Sequence, residues 1–204
     1  MFNRTENTEP IGKNECFFTV VKEYAKGEII TNSLLNDDTI GIIKSGTAYL
    51  FTSNSEGQNR IIDYYVAENV FGNSFIPKND DRIFYITAKT KCTVEFLKYK
   101  KVITPCDKKC SKHIQLLDNM VMQSVRKSLA HIDILGQRTL RGKLMTFFEY
   151  MSIQKNSKNF TLPMPLSDFA DYLAVDRSAM MRELKNLNSE GVIKSDKRKI
   201  KLLY

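Results

Sequence analysis

Apolar and polar positions along the chain fall into three regimes. From about Thr19 to Leu97, short runs rich in Ile, Val, Tyr, Phe and Thr alternate with turn residues: KGEII, DDTIGIIKSGTAYLFTSN, SEGQNRIIDYYVAENVFGN and ITAKTKCTVEFLKY. Such runs predict β-strands, because branched and aromatic side chains pack well on a pleated surface. Gly27, Gly46, Gly57 and Gly72 punctuate them, which predicts a compact antiparallel barrel or sandwich. From about Lys109 to Gly136 the pattern becomes that of one long helix without proline. Ile114, Leu117, Val121, Val125, Ile132 and Leu135 share a stripe, with Ser128 and Gly136 on the same side. A stripe of this length can pack on the chain's own β-domain or against a second copy of the helix.

The third regime is a pair of short helices. Ser167 is expected to cap a helix over Ser167–Leu173, with Phe169, Ala170 and Leu173 on its apolar face. A break of about three residues, Ala174 to Asp176, precedes a second helix that Asp176 is placed to cap. At about 100° per residue, Arg177, Ser178, Met181, Arg182 and Lys185 share one arc of that helix. Met180, Leu184 and Leu187 share another. One face is therefore apolar and the other mostly cationic, as a major-groove reading helix requires, since Arg can bond bidentately to guanine. Such a helix alone reads equally as an ordinary amphipathic surface helix; the tight pairing with its predecessor favours a helix-turn-helix. Downstream, EGVIKSDKRKIKLLY reads as a helix stop at Gly191, then a strand, a charged turn and a second strand. Lys197, Arg198 and Lys199 fall at the tip of this hairpin wing, where they can meet phosphates.

Charge sharpens the division. Residues 137–204 hold 13 Lys or Arg against 7 Asp or Glu, while residues 1–136 hold 18 against 16. Most of the formal +8 thus lies in the last third, as expected of a nucleic-acid module. No apolar run reaches the length of a membrane span and the N-terminus is polar, so a cytoplasmic protein without membrane contact is expected. No Walker loop, HExxH, G-x-S-x-G or paired-carboxylate arrangement occurs, and with two histidines no enzymatic activity is expected.

The stretch PMPLSDFADYLAVDRSAMMRELKNLNSEGVI resembles the C-terminal helix-turn-helix of the Crp/Fnr family of bacterial transcription regulators. The order Lys26-Gly27-Glu28, Ile42 ahead of Ser45-Gly46, Glu56-Gly57 and Val70-Phe71-Gly72 is similar to the family's N-terminal β-roll. The resemblance covers nearly all of the chain beyond its first fifteen or so residues. It implies an α+β protein: a jelly-roll-like antiparallel β-roll sensor over residues 1–108, a long dimerisation helix over 109–136, and a winged helix-turn-helix over 137–204. It also implies a homodimer on double-stranded DNA, working with RNA polymerase, with Arg177, Ser178 and Arg182 facing bases. Ser167, Met181, Lys185, Lys197 and Lys199 complete the expected DNA-contacting set, and Leu117, Val121, Val125 and Ile132 the expected dimer seam. The chain departs from the family at Ser178, where many members carry Glu, and at Met181, where many carry a small residue. Ala174 replaces the turn glycine, at a cost of about 1 kcal/mol if left-handed.

Members that bind cyclic nucleotides use a Gly-Glu pair for the ribose and an Arg-Ser or Arg-Thr pair for the phosphate. Here Asn73 follows Gly72, and Ile83-Phe84 follow Arg82. A standard cyclic-nucleotide pocket is therefore not expected, because ligand groups would be left unpaired. The residues expected around an unidentified small, acidic effector are Phe71, Gly72, Asn73, Ser74, Arg82, Ile83, Phe84 and Ser128. A solvated Arg82 beside an acidic turn is an equal reading. Of the four cysteines, Cys106 and Cys110 precede His113 in a C-x₃-C-x₂-H spacing, a weak candidate for metal or redox sensing. Three readings stay open at this point: an effector-gated regulator, a metal- or redox-responsive one, and a DNA-binding protein whose β-roll takes no ligand.

Overall fold

The computed structural model describes residues 19–35, 38–72, 76, 81–104 and 111–204, without the side chains of 111–113, 116, 117 and 119. Asn73, Ser74, Cys106 and Cys110, and the side chains of His113 and Leu117, lie outside the described set. The chain divides into two compact units, one up to Ser124 and one from Val125.

The first unit is built from β1 (Val20–Tyr24), β2 (Ile29–Asn32), β3 (Thr39–Ser45), β4 (Ala48–Asn54), β5 (Asn59–Tyr65), β6 (Val70–Gly72), β7 (Arg82–Ala88) and β8 (Cys92–Lys98). They form two antiparallel four-stranded sheets, ordered β1-β8-β3-β6 and β2-β7-β4-β5. Each strand turns alternate side chains inward. Ile43, Phe71, Cys92 and Val94 of one sheet thereby share a core with Leu50, Phe84, Ile86 and Ala88 of the other. Gly41 pairs with Phe71 and Phe96 across its two neighbouring strands. A Cβ there would lie 2.3 Å from Phe71 Cζ, so glycine is what lets the Phe71 ring fill the core. Phe71 meets Tyr65 at 5.5 Å and Phe96 at 6.2 Å between ring centroids. Burial raises the Tyr65 hydroxyl's pKa, keeping it neutral in that core.

The outer face of the first sheet is covered by helix. Ile40 and Leu97 pack with Val102 of α1 (Tyr99–Ile103) and Met120 of α2 (Ser111–Gly136). The short α1 has no counterpart in the sequence pattern, because five residues hold too little periodicity to distinguish a helical turn from a strand end. Along the 26 residues of α2, Met120 and Ile134 are 2% and 1% exposed. The expected stripe points elsewhere: Val121 is 47%, Val125 48% and Ile132 66% exposed.

The second unit continues with α3 (Leu140–Lys155), β9 (Asn159–Thr161), α4 (Leu166–Tyr172), α5 (Arg177–Ser189), β10 (Ile193–Asp196) and β11 (Lys199–Leu202). The hairpin β10–β11 gains a third strand, β9, in the order β10-β11-β9. Three residues in β9 are too few to announce a strand in sequence, and its pairing of Phe160 with Ile200 is a non-local event. Phe147, Phe148, Phe160 and Phe169 build an aromatic core, Phe147 and Phe169 at 4.6 Å. Leu144, Leu162, Met164, Met180, Leu184 and Leu187 close it.

Candidate nucleic-acid interface and effector region

Helix α5 starts where its cap requires. The Asp176 carboxylate accepts from the Ala179 N–H at 2.7 Å, satisfying one of the orphan donors of the first turn. The helix buries Met180, Leu184 and Leu187 and leaves Arg177, Ser178, Met181, Arg182 and Lys185 exposed. No ion pair among the described residues engages Arg177, Arg182 or Lys185, so their cationic heads are available to a polyanion. Gly191, at φ 72°, ends the helix: its N–H donates to Asn188 O at 3.1 Å and that of Val192 to Leu187 O at 3.0 Å. This is the pair of bonds of a Schellman stop.

The connection between α4 and α5 uses the same device with an alanine. Ala174 N–H donates to Asp171 O and Val175 N–H to Ala170 O, each at 3.0 Å, with Ala174 at φ 51°. The left-handed conformation that the sequence left open for Ala174 is thus present, and its Cβ carries the strain a glycine would avoid.

Ser167 does not cap α4. The helix begins one residue earlier, at Leu166, with Pro165 in the capping position and its carbonyl accepting from the Phe169 N–H at 2.9 Å. Ser167 is already inside the first turn, where its hydroxyl donates to Asp168 at 3.1 Å. Proline supplies a suitable backbone conformation at the boundary without any side-chain acceptor, and this signal outweighed the serine.

Two contacts that sequence patterns do not reveal fix α5 in place. Arg141 of α3 donates from Nε to Glu183 at 2.6 Å and from its two terminal nitrogens to Glu190 at 2.8 and 2.6 Å. The Arg141 guanidinium thereby holds the Glu190 carboxyl below the usual carboxylate range. At the helix end, Asn188 donates from Nδ2 to Leu184 O at 2.7 Å and to Ser195 Oγ at 2.5 Å, and accepts from Ser195 N–H at 2.8 Å. These bonds tie α5 to β10. The turn between β10 and β11 places Lys197, at φ 52°, and Arg198 between the strands, with Lys199 opening β11; all three are exposed. The His131 ring stacks on Tyr172 at 4.1 Å, with Nε2 3.2 Å from the Tyr172 carbonyl, which makes it a packing residue.

Six of the residues expected around an effector are among those described: Phe71, Gly72, Arg82, Ile83, Phe84 and Ser128. Phe71 and Gly72 are buried, Phe71 within the inter-sheet core. Arg82 and Phe84 occupy one face of β7 and Ile83 the other, since neighbours in a strand point oppositely. Ile83 is exposed, as is Ser128 on α2. Cys92 is a core residue: its Sγ donates to Thr47 O at 3.2 Å, and burial pushes the thiol's pKa up. Among the described residues no cluster of three or more His, Cys, Asp or Glu is poised for a metal. No helix among them is long and apolar enough to cross a membrane.

Comparison with known proteins agrees with this architecture. Residues 21–108 match the cyclic nucleotide-binding domain family. The chain superposes on FixK2 from Bradyrhizobium japonicum with a TM-score of 0.68 at 20% identity, over 91% of this chain and 93% of that one. A CooA mutant from Carboxydothermus hydrogenoformans matches with a TM-score of 0.69 at 13% identity, over 93% and 84%. A Crp/Fnr-family regulator from Eubacterium rectale matches with a TM-score of 0.57 at 16% identity, over 91% and 86%. No curated protein sequence matches the chain. Residues 21–108 thus carry the cyclic nucleotide-binding domain, and the chain as a whole shares the fold of these structures, one of which is a Crp/Fnr-family regulator.

Proposed function

We propose that the chain is a homodimeric, sequence-specific DNA-binding transcription regulator with no enzymatic activity, gated by a small effector in its β-roll. The observation that carries this reading is the solvent face of α5: Arg177, Ser178, Met181, Arg182 and Lys185 lie exposed on a helix capped at both ends. Its neighbours in fold include a Crp/Fnr-family transcription regulator from Eubacterium rectale, which supports the same reading. Inserted in a major groove, such a helix reads bases through Arg182, with Arg177 dividing its contacts between base and phosphate. Ser167, Lys197 and Lys199 flank it and are assigned to the phosphate backbone. Dimerisation through the exposed α2 stripe, with Leu117 joining Val121, Val125 and Ile132, sets two such helices on neighbouring half-sites beside RNA polymerase. The three divisions at 1–108, 109–136 and 137–204 then serve sensing, assembly and reading.

The effector acts by unequal affinity for two dimer arrangements. Cyclic AMP is not that effector in this reading, because Asn73 replaces the ribose acceptor and Ile83 the hydroxyl beside Arg82. Fluorescence anisotropy of the full chain on a randomised operator pool, at several salt concentrations, tests the proposal. Binding should select a two-fold symmetric sequence and weaken steeply with salt, because phosphate contacts release counterions. Affinity that ignores salt would remove the DNA-binding reading. A micromolar dissociation constant for cyclic AMP by calorimetry would instead restore the standard pocket.

A further inference from the structure

The strand register gathers two arginines and a buried hydroxyl that the sequence sets far apart. Thr52 of β4 pairs with Arg60 of β5 on one side and Phe84 of β7 on the other. Two residues along, Asn54 pairs with Arg82. Directly paired residues in an antiparallel sheet share a face, so Thr52, Asn54, Arg60 and Arg82 all belong to the face that carries Leu50 and Phe84. Together with Gln58 they line a small cavity of about 70 Å³ at the β4–β5 hairpin end of the sheet.

The hairpin is braced from within. Asn54 Oδ1 accepts from the Gln58 N–H at 2.9 Å, and the Asn54 amide donates to Gln58 Oε1 at 3.4 Å. Thr52 behaves differently: it is 5% exposed, and its hydroxyl is the one fully buried side-chain polar atom without a hydrogen bond among the described residues. Leaving such a group unpaired is costly, which singles this position out. Neither Arg60 nor Arg82 forms an ion pair among the described residues. A cavity with two uncompensated guanidinium groups at its rim matches an anion that accepts from both, and a turn of the Thr52 side chain toward that anion would give the orphan hydroxyl its partner.

We propose that Thr52, Arg60 and Arg82, framed by Asn54 and Gln58, form a docking point for the oxyanion head of a small ligand, a carboxylate or a phosphate. The cavity holds roughly five water-sized groups, which suits a head group and is far too small for a whole nucleotide. The site is also not the cyclic-nucleotide arrangement. Four of its five residues come from the β4–β5 hairpin, and only Arg82 belongs to the segment where the family places its phosphate pair. Arg60 contributes a second planar fork, so a bidentate oxyanion can be held between two strands. The proposal deepens the effector reading above and rests on it only for the consequence of binding, not for binding itself.

The test uses the full chain without DNA, titrated with inorganic phosphate and with acetate against sodium chloride at constant ionic strength. Thermal melting should rise saturably with at least one of the two oxyanions and not with chloride. A response to phosphate alone assigns a phosphoryl head, and one to acetate alone a carboxylate. Arg60→Gln and Arg82→Gln should each raise the apparent dissociation constant about tenfold, with Arg60→Lys between them and the parent. Thr52→Val should raise the melting temperature without anion, by removing the orphan hydroxyl, yet blunt the anion response. Equal responses to both oxyanions and chloride, or an anion response unchanged in all of these variants, would overturn the site. An intact anion response with no change in operator affinity would leave the site standing and remove its regulatory role instead.

Discussion

Helices α2 and α5 carry apolar stripes of the same period, and only α5 buries its stripe within the chain itself. Met180, Leu184 and Leu187 of α5 are buried under the aromatic core of the second unit. Val121, Val125 and Ile132 of α2 stay about half to two-thirds open to solvent, although Met120 and Ile134 on another side of the same helix are fully covered. An apolar stripe therefore reports that something covers a helix, while the surrounding fold decides whether the cover is the chain itself. In α5 a polar face is left, the one proposed to meet DNA. In α2 an apolar face is left, and leaving branched side chains wet along several turns is unfavourable unless a partner buries them.

The sharpest way to break this comparison is a charge in the α2 stripe. On the proposed seam, Val125→Glu places two carboxylates across a two-fold interface without counter-ions, at a cost of about 3–5 kcal/mol to association. Sedimentation should find a monomer at concentrations where the parent is a dimer, with operator affinity falling in step. The melting of the monomer should hardly change, because Val125 is about half exposed and lies outside the buried core. An unchanged dimer would place the seam elsewhere.

The matching cut in α5 should behave in the opposite way. Leu184 is buried in the second unit, so Leu184→Ala leaves a cavity and should lower stability by about 2–5 kcal/mol in denaturant titration. Dimerisation through α2 should survive in the fraction that stays folded. Stability loss from Val125→Glu equal to that from Leu184→Ala would erase the difference between the two helices.

What could be read from the chain follows from how local each signal is. The Asp176 cap, the Gly191 stop and the strain at Ala174 involve residues within a turn or two of one another, and all three are present. Ser167 misled because a nearby proline set the boundary instead, a competition between two local signals. The Arg141 clamp spans more than forty positions, as its bond to Glu183 shows, and no pattern in sequence points to it. Arg82 stood out in the sequence by resemblance, but Thr52 and Arg60 join it only through strand register. Register is decided by pairing between strands, which residue periodicity does not specify.

On the proposed reading, recognition by α5 divides into base reading and backbone holding, and two substitutions separate them. Arg182→Ala should cost about 1–3 kcal/mol per half-site and relax the preference for guanine at one position. Lys199→Ala at the wing should weaken all sequences alike and flatten the salt dependence by about one counterion. Selection from a randomised operator pool with both variants reads the difference. The reverse pattern would mean that the wing reads bases and that α5 only positions it.

The smallest expected effect concerns the turn that sets α5 against α4. Ala174 sits at φ 51° with both Schellman bonds made around it, and it is exposed, so its side chain contributes strain without burial. Ala174→Gly removes that strain and keeps both backbone bonds. The added freedom of glycine in the unfolded chain offsets part of the gain, which leaves a net stabilisation of about 0.5–1 kcal/mol. The change should appear as a small rise in the denaturant midpoint with an unaltered slope, the sign of a stability change alone. Ala174→Val, whose branched Cβ fits the left-handed region worse, should move the midpoint the other way by a larger amount. If the operator affinity of the glycine variant also rises, the strained turn holds α5 slightly away from its reading position. If affinity is unchanged while stability rises, the strain is local to the turn, and the Arg141 and Asn188 contacts are sufficient to set the helix.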